Sequence, residues 1–285
     1  MSVPPDRSPA RIADLDAEHA PLYFVCLEDW PGADVRDAGD WKARWYEWAR
    51  PRGLRVKLAL DAAGTVGGMI QYLPIEHAPA VGRDLDFILC VWVHGHAKGR
   101  GDFRGHGMGA ALLAAAEADA RARGRKGIAA WGLALPIWMR ASWFRRHGFV
   151  KADRSGLSSL VWKRFTPDAV APRWLYPTGK RPAPAPGRVV VTGCLSGWCP
   201  AQNLAFERAR RAAAPFGERV ELRVVDTRDR PTMEAWGQCD ALFVGDRQVR
   251  TGPPPSEARL GRLLARQVAR LGHAPKSRGL AAGRP

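Results

Sequence analysis

Arg104-Gly105-His106-Gly107-Met108-Gly109 joins one fixed positive charge to three alternating glycines. Between a strand and a helix, such a run is an anion site. The first-turn N–H groups of a helix lack intrahelical acceptors, the dipole is positive there, and glycine lets a phosphate approach the backbone. The spacing Arg-x-x-Gly-x-Gly is neither the dinucleotide fingerprint nor a phosphate loop that ends in Lys-Ser/Thr. A second chemical signal is Ser196-Gly197-Trp198-Cys199-Pro200. A thiol at the start of a helix has its thiolate stabilised by the dipole, so Cys199 is a candidate reactive or metal-ligating residue, beside the favoured reading of a structural cysteine. Cys194, five residues earlier, could pair with it, and the two with Cys239 could hold a soft metal.

The elements around these runs are legible from periodicity. Leu85 to Val93 is almost unbroken in apolar and β-branched residues, as a buried strand should be, and Ala110 to Arg123 reads as a helix stopped by Gly124. Gly127 to Leu135 reads as the next strand. Ala141 to Phe149 reads as a helix ended by Gly148, and Leu157 to Phe165 as the last strand of the first unit. Upstream, Ile12 to Glu28 mixes a short strand with a helix. Arg55–Leu60 and Val66–Leu73 form a hairpin, followed by a loop over residues 74–79. Trp41, Trp45 and Trp48 share a helix face and are expected in the core.

A break in composition divides the chain. Six prolines between Thr166 and Gly187 predict an extended linker or surface strap. The expected organisation is therefore a first domain over 1–165, a Pro-rich linker over 166–187, a second domain over 188–272 and a basic tail over 273–285. In the second domain Arg188–Thr192 and Arg219–Asp226 read as strands around a helix at Ala201–Ala213. A hairpin turns at Gly245-Asp246, and Ser256 caps a helix whose apolar face is Leu260, Leu263, Leu264, Val268 and Leu271.

The 285 residues are 46% hydrophobic and 25% charged, a globular composition. No run is long enough to span a bilayer and the first ten residues have no apolar leader core, so a cytoplasmic protein is expected. Five cysteines then read as reduced thiols, Cys26 and Cys90 as buried core. The net charge of +16, from 44 basic against 28 acidic residues, favours anionic ligands. The basic residues are dispersed and form no nucleic-acid module, so nucleic-acid binding is not expected.

The glycine run and Trp143-Phe144…Gly148-Phe149, in that order with a strand between them, resemble the two late motifs of the GNAT superfamily of N-acetyltransferases. The resemblance implies acetyl-CoA as acyl donor and direct transfer to an amine acceptor. Backbone groups around Val91, Trp92 and Val93 would face the pantetheine arm. Gly105, His106, Gly107, Met108 and Gly109 would admit the pyrophosphate, with Arg104 assisting. The reaction needs a general base, for which Glu76, His77, Asp86 and His94 are candidates beside solvated or structural roles. Phe144 stands where many members carry a proton-donating tyrosine; His147 is another possible donor.

The order strand, Trp-Cys-Pro, helix resembles a thioredoxin-like active turn, although Gln202 replaces a second cysteine and Cys239-Asp240 stands near the usual cis-proline. Over roughly residues 10–272 the chain resembles GNAT domains fused to a YoaP-type domain. The expected fold is thus a GNAT-like mixed α/β sheet followed by a smaller thioredoxin-like α/β domain. Two functional readings follow: an acetyl-CoA-dependent N-acetyltransferase, or a thiol-redox or soft-metal protein working through Cys199.

Overall fold

The computed structural model describes residues 10–28, 32–135 and 138–271, so the basic tail lies outside the described residues. Seven strands build the larger sheet: β1 (Arg11–Asp14), β2 (Arg55–Leu60), β3 (Val66–Pro74), β4 (Leu85–Val93), β5 (Gly127–Leu133), β6 (Val150–Ser155) and β7 (Ser158–Arg164). Their order is β1-β2-β3-β4-β5-β7-β6. Only β4 and β5 run parallel among these neighbours. A parallel pair needs a crossover, and helical residues between Val93 and Gly127 supply it.

Alternation along the strands sends side chains to two cores. Helices α1 (Ala20–Phe24) and α2 (Ala33–Ala49) cover one face, where Tyr23 and Trp45 meet Leu58, Met69, Phe87 and Leu89. The other face takes α3 (Met108–Ala122) and α4 (Ala141–Arg146), whose Leu112, Leu113 and Phe144 pack on Ile70, Ile88 and Val161.

The centre of the sheet is split. β4 and β5 pair over Leu85–Ile88 and Gly127–Ala130, and the registered pairing goes no further although both strands continue. On its other side β4 carries a bulge, because Gln71 faces Cys90 and Tyr72 faces Ile88, leaving Leu89 as the extra residue. The Trp131 indole donates to the Leu89 carbonyl at 2.8 Å across the gap. His94 N–H donates to Gly67 on the β3 side, so strand alternation turns the N–H groups of Val91 and Val93 into the split. The Val91 N–H there meets the Met139 sulfur at 3.4 Å.

The second sheet comprises β8 (Val189–Leu195), β9 (Val220–Asp226), β10 (Ala241–Val244) and β11 (Arg247–Val249), ordered β9-β8-β10-β11. β8 and β9 are parallel; the other pairs are antiparallel. Helices α5 (Pro200–Ala213) and α7 (Glu257–Leu271) cover one face through Phe206, Ala209, Leu260, Leu264 and Val268. Between them in sequence lies α6 (Arg230–Trp236), which the periodicity did not predict. Its start signal is Asp229, whose side chain accepts from Thr232 N–H, with Pro231 in the first turn.

The two sheets share a joint. Trp41 of α2 sits edge-on to Phe206 of α5 and donates to Glu207 at 2.8 Å, so part of the tryptophan stripe is a docking seam. Asn203, fully buried, donates to the carbonyls of Ala38 and Gly197 at 3.1 and 2.9 Å. Arg208 and Arg211 reach across to Asp34, and Arg211 also to Asp37. Trp198 and Cys199 belong to the core on the α1–α2 face. The Pro-rich segment is likewise fastened: Arg173–Trp174 pair with Ala80–Val81, and Thr178 donates to the Ala235 carbonyl at 2.8 Å.

Asn203→Ala leaves two buried carbonyls at the joint without their donor and is expected to cost about 1–3 kcal/mol in urea unfolding. Tryptophan fluorescence and far-UV circular dichroism should follow one transition; two separated transitions would contradict a shared core.

Candidate active site

The glycine run does at the backbone what its composition predicts. Gly105 and Gly107 take φ of +81° and +75°, a region L side chains rarely occupy. A Cβ at either would meet nothing within 4 Å, so glycine is needed there for conformation, and the space in front stays open. Gly107 precedes α3 without a side-chain cap, and the first helical bond runs from Ala111 N–H to the Gly107 carbonyl. The donors at the start of α3 therefore border a cleft of about 740 Å³ that runs from Arg104 to the split strand, lined by Val91, Trp92, Val93 and Met139. Arg140 and Arg146 add positive charge to its wall. Arg104 also lines it but is folded onto Asp102, and that contact holds the Asp102 carboxyl well below the usual carboxylate range. His106 turns edge-on to Phe103 and is not among the lining residues.

The expected bases scatter. Glu76 is exposed in the turn Ile75–His77, beyond the β3 end that pairs with Asp86, so it stands at the opposite end of β4 from the split. His77 packs edge-on to Trp48, and burial lowers its pKa. Asp86 is fully buried against Arg123 and Arg125; burial pushes its carboxyl up while Arg123 pulls it down. It is a structural ion pair. His94 is fully buried just past β4, its Nδ1 2.5 Å from the Gly101 carbonyl. It lines neither this cleft nor the cavity behind it. Phe144 is buried against Trp143, and His147 Nδ1 is bonded to the Trp143 carbonyl at 2.9 Å.

Burial dominates the setting of Cys199. It is the residue before α5, as predicted, yet its thiol is pushed up to about 12 by burial, with Asp240 adding to the effect. The dipole is present and loses to desolvation. All five cysteines are free, and Cys194 packs elsewhere, with Trp236 and Phe243. Among the described residues no three of Cys194, Cys199, Cys239 and nearby acids converge as metal ligands. Cys90 is buried as expected; Cys26 is half-buried, with its sulfur accepting from Lys42 at 2.9 Å.

What the periodicity missed lies behind the split. A cavity of about 300 Å³ opens on the α1–α2 side of the sheet, walled by Phe87, Leu89, Trp131, Trp174 and Trp198. Trp138 borders both this cavity and the first cleft, and its ring meets Trp131 edge-on at 5.0 Å. Among the described residues one carboxylate lines the chamber: Asp240, which accepts from Ser196 N–H and Oγ at 3.1 and 2.9 Å and from the Cys239 thiol at 3.3 Å. Burial raises its pKa above the ordinary carboxylate value. The two chambers share Trp138 as a wall, the first lined by Val91–Val93 of β4 and the second by Leu89 of β4 and Trp131 of β5. An anionic ligand gripped at α3 can thus extend one arm into the split while a second molecule approaches from the aromatic side.

No protein-family model and no curated protein matches the chain. Among solved structures it is similar to a GNAT-family N-acetyltransferase from Escherichia coli in complex with CoA, at 15% identity and a TM-score of 0.42, covering 61% of this chain and 93% of that one. The PaiA N-acetyltransferase from Thermoplasma acidophilum in complex with coenzyme A gives 14% and 0.41, covering 55% and 100%. A ribosomal-protein-alanine N-acetyltransferase from Brucella melitensis gives 22% and 0.39, covering 54% and 99%.

With its thiol near 12, Cys199 is expected to react with iodoacetamide at pH 8 at least about 100-fold more slowly than a free thiol. Alkylation of Cys199 at the free-thiol rate, read by peptide mass spectrometry, would restore it as a nucleophile.

Proposed function

We propose that the protein is an acetyl-CoA-dependent N-acetyltransferase of the GNAT type. The observation that carries this reading is the split between β4 and β5, open to a phosphate-gripping cleft on one face and an aromatic chamber on the other. The cleft suits acetyl-CoA: the α3 donors and Arg104 take the pyrophosphate, and Val91 and Val93 offer N–H groups along the arm. A site of this volume is ordinary for a cofactor-sized ligand. We read the second sheet as thioredoxin-like, which its order β9-β8-β10-β11 supports. It serves here as a wall of the acceptor chamber.

In this reading the bound ammonium gives one proton to solvent water, and the neutral amine nitrogen then attacks the thioester carbonyl carbon directly. The C–N bond forms, the C–S bond breaks, and the proton released by nitrogen ends on the departing sulfur. The Val91 N–H, loosely held by a thioether, is placed to stabilise the developing oxyanion. Holding both reactants at one gap removes much of the entropic barrier. The acceptor is an amine on a flat or apolar body: the tryptophan walls bury the body and attract an ammonium by cation–π contact, and Asp240 receives its charge. Glu76 has no part in this arrangement.

Acetyl-CoA is expected to bind the wild type with micromolar affinity or better in isothermal titration. Arg104→Glu should bind at least tenfold more weakly, about 1.4 kcal/mol. Absence of binding by well-folded wild type would sink the transferase reading.

Asp240→Asn tests the acceptor side. In an acetylation assay with arylalkylamines such as tryptamine, its KM for amine should rise about tenfold or more while its acetyl-CoA affinity stays at the wild-type value. An unchanged amine KM would remove Asp240 from the site.

A further inference from the structure

His94, His96 and Glu28 lie outside both chambers. We propose that they form a binding site for one divalent transition-metal ion of the zinc type, through the Nε2 atoms of both histidines and a carboxylate oxygen of Glu28.

His94 sets the argument. Its side chain is fully buried and its Nδ1 lies 2.5 Å from the Gly101 carbonyl. A carbonyl can only accept, so Nδ1 carries the proton and Nε2 presents a lone pair. Metal-ligating histidines are held in this way, one ring nitrogen donating to a backbone carbonyl and the other aimed at the ion. The buried His94 Nε2 has no hydrogen-bond partner. A basic nitrogen sealed from water with its lone pair unused is rare in a folded protein unless something else occupies it.

The neighbours supply the remaining ligands. His96 Nε2 stands 3.4 Å from Glu28 Oε2, and one ligand atom from each of the three residues lies within 4.8 Å of the others. Around a tetrahedral zinc with bonds of about 2.1 Å, ligand atoms stand about 3.4 Å apart. The His96–Glu28 edge already has that length, and small side-chain rotations close the rest. His94 and His96, two residues apart, bring their rings together with centroids 4.1 Å apart. Nitrogen ligands with one carboxylate select zinc and its first-row neighbours over magnesium or calcium. Three protein ligands leave a fourth position for water. Glu28 and His96 remain 24% and 41% exposed, which provides an entry path.

The ion would tie the chain after α1 to the end of β4 and to the ladder formed by Gly95–His96 and Gly101–Asp102. This assignment does not depend on acyl transfer.

The test uses the full chain, stripped with EDTA and titrated with ZnCl₂ by calorimetry, and with Co²⁺ as a visible-absorption reporter. One equivalent of zinc is expected to bind at micromolar Kd or tighter, and bound cobalt should show tetrahedral d–d bands. His96→Ala, a change at the exposed end that spares the fold, should bind at least about 100-fold more weakly. Glu28→Gln should weaken binding about tenfold, and Cys199→Ser should bind like wild type. Circular dichroism checks that each variant is folded. The proposal is overturned by no stoichiometric binding, by unchanged binding in His96→Ala, or by loss of binding in Cys199→Ser, which would move the ion to the thiols.

Discussion

Everything distinctive about this molecule follows from one parallel pairing that stops short. A central strand normally satisfies both edges with neighbours, since unpaired backbone donors inside a protein are costly. Beyond Ile88, β4 keeps β3 on one edge and loses β5 on the other. The divergence is held from the β5 side. Leu133 turns to bridge Arg140, and Gly132 lies so close to α4 that a Cβ there would stand 2.6 Å from the Ala141 Cα. Only glycine permits that approach, and the approach draws β5 toward α4. The Trp131 indole and the Met139 sulfur partly replace the missing ladder. What remains is a row of weakly engaged backbone groups facing a gap, the arrangement an extended ligand arm needs.

The second constraint is that the gap has two sides. The first belongs to the larger sheet and its glycine loop. The second is assembled from distant pieces: Phe87 and Leu89 of β4, Trp174 from the Pro-rich strap, Trp198 before α5, and Asp240 before β10. None of these segments could enclose a ligand alone. The α2–α5 joint brings them together, with the Asn203 amide nitrogen donating across it to the Ala38 carbonyl and Arg208 and Arg211 spread over two acidic side chains. Several arginines are structural cations, which agrees with their dispersal along the sequence.

Competing electrostatic effects decide the thiols. A helix N-terminus stabilises a charge by about 0.3–1 kcal/mol at an exposed site. Raising the Cys199 thiol from 9.0 to about 12 opposes its ionisation by about 4 kcal/mol. Burial wins by a wide margin, so the position of Cys199 on the helix was a poor guide to its reactivity. The same burial acts on Asp240, but there three donors face the carboxylate and the chamber gives a cationic partner access.

The glycine run was readable because anion binding at a helix start is a local property: positive φ at Gly105 and Gly107 and an uncapped first turn depend on a few consecutive residues. Strands and helices with clean periodicity, such as Leu85–Val93 and the Leu260–Val268 face, were readable for the same reason. The short α6 was not, because seven residues carry too little periodicity and its start rested on Asp229 and Pro231 alone. Glu76 and His94 both flank β4 in sequence, yet one stands exposed at the wrong end and the other is sealed past its end. Strand direction and burial separate them, and neither is written in the spacing. Sequence alone determined the loop that can hold an anion and the elements flanking it. Tertiary structure decided where the sheet splits, which thiols are silenced and which carboxylate faces the chamber, because pairing, desolvation and enclosure depend on residues brought together from far apart in the chain.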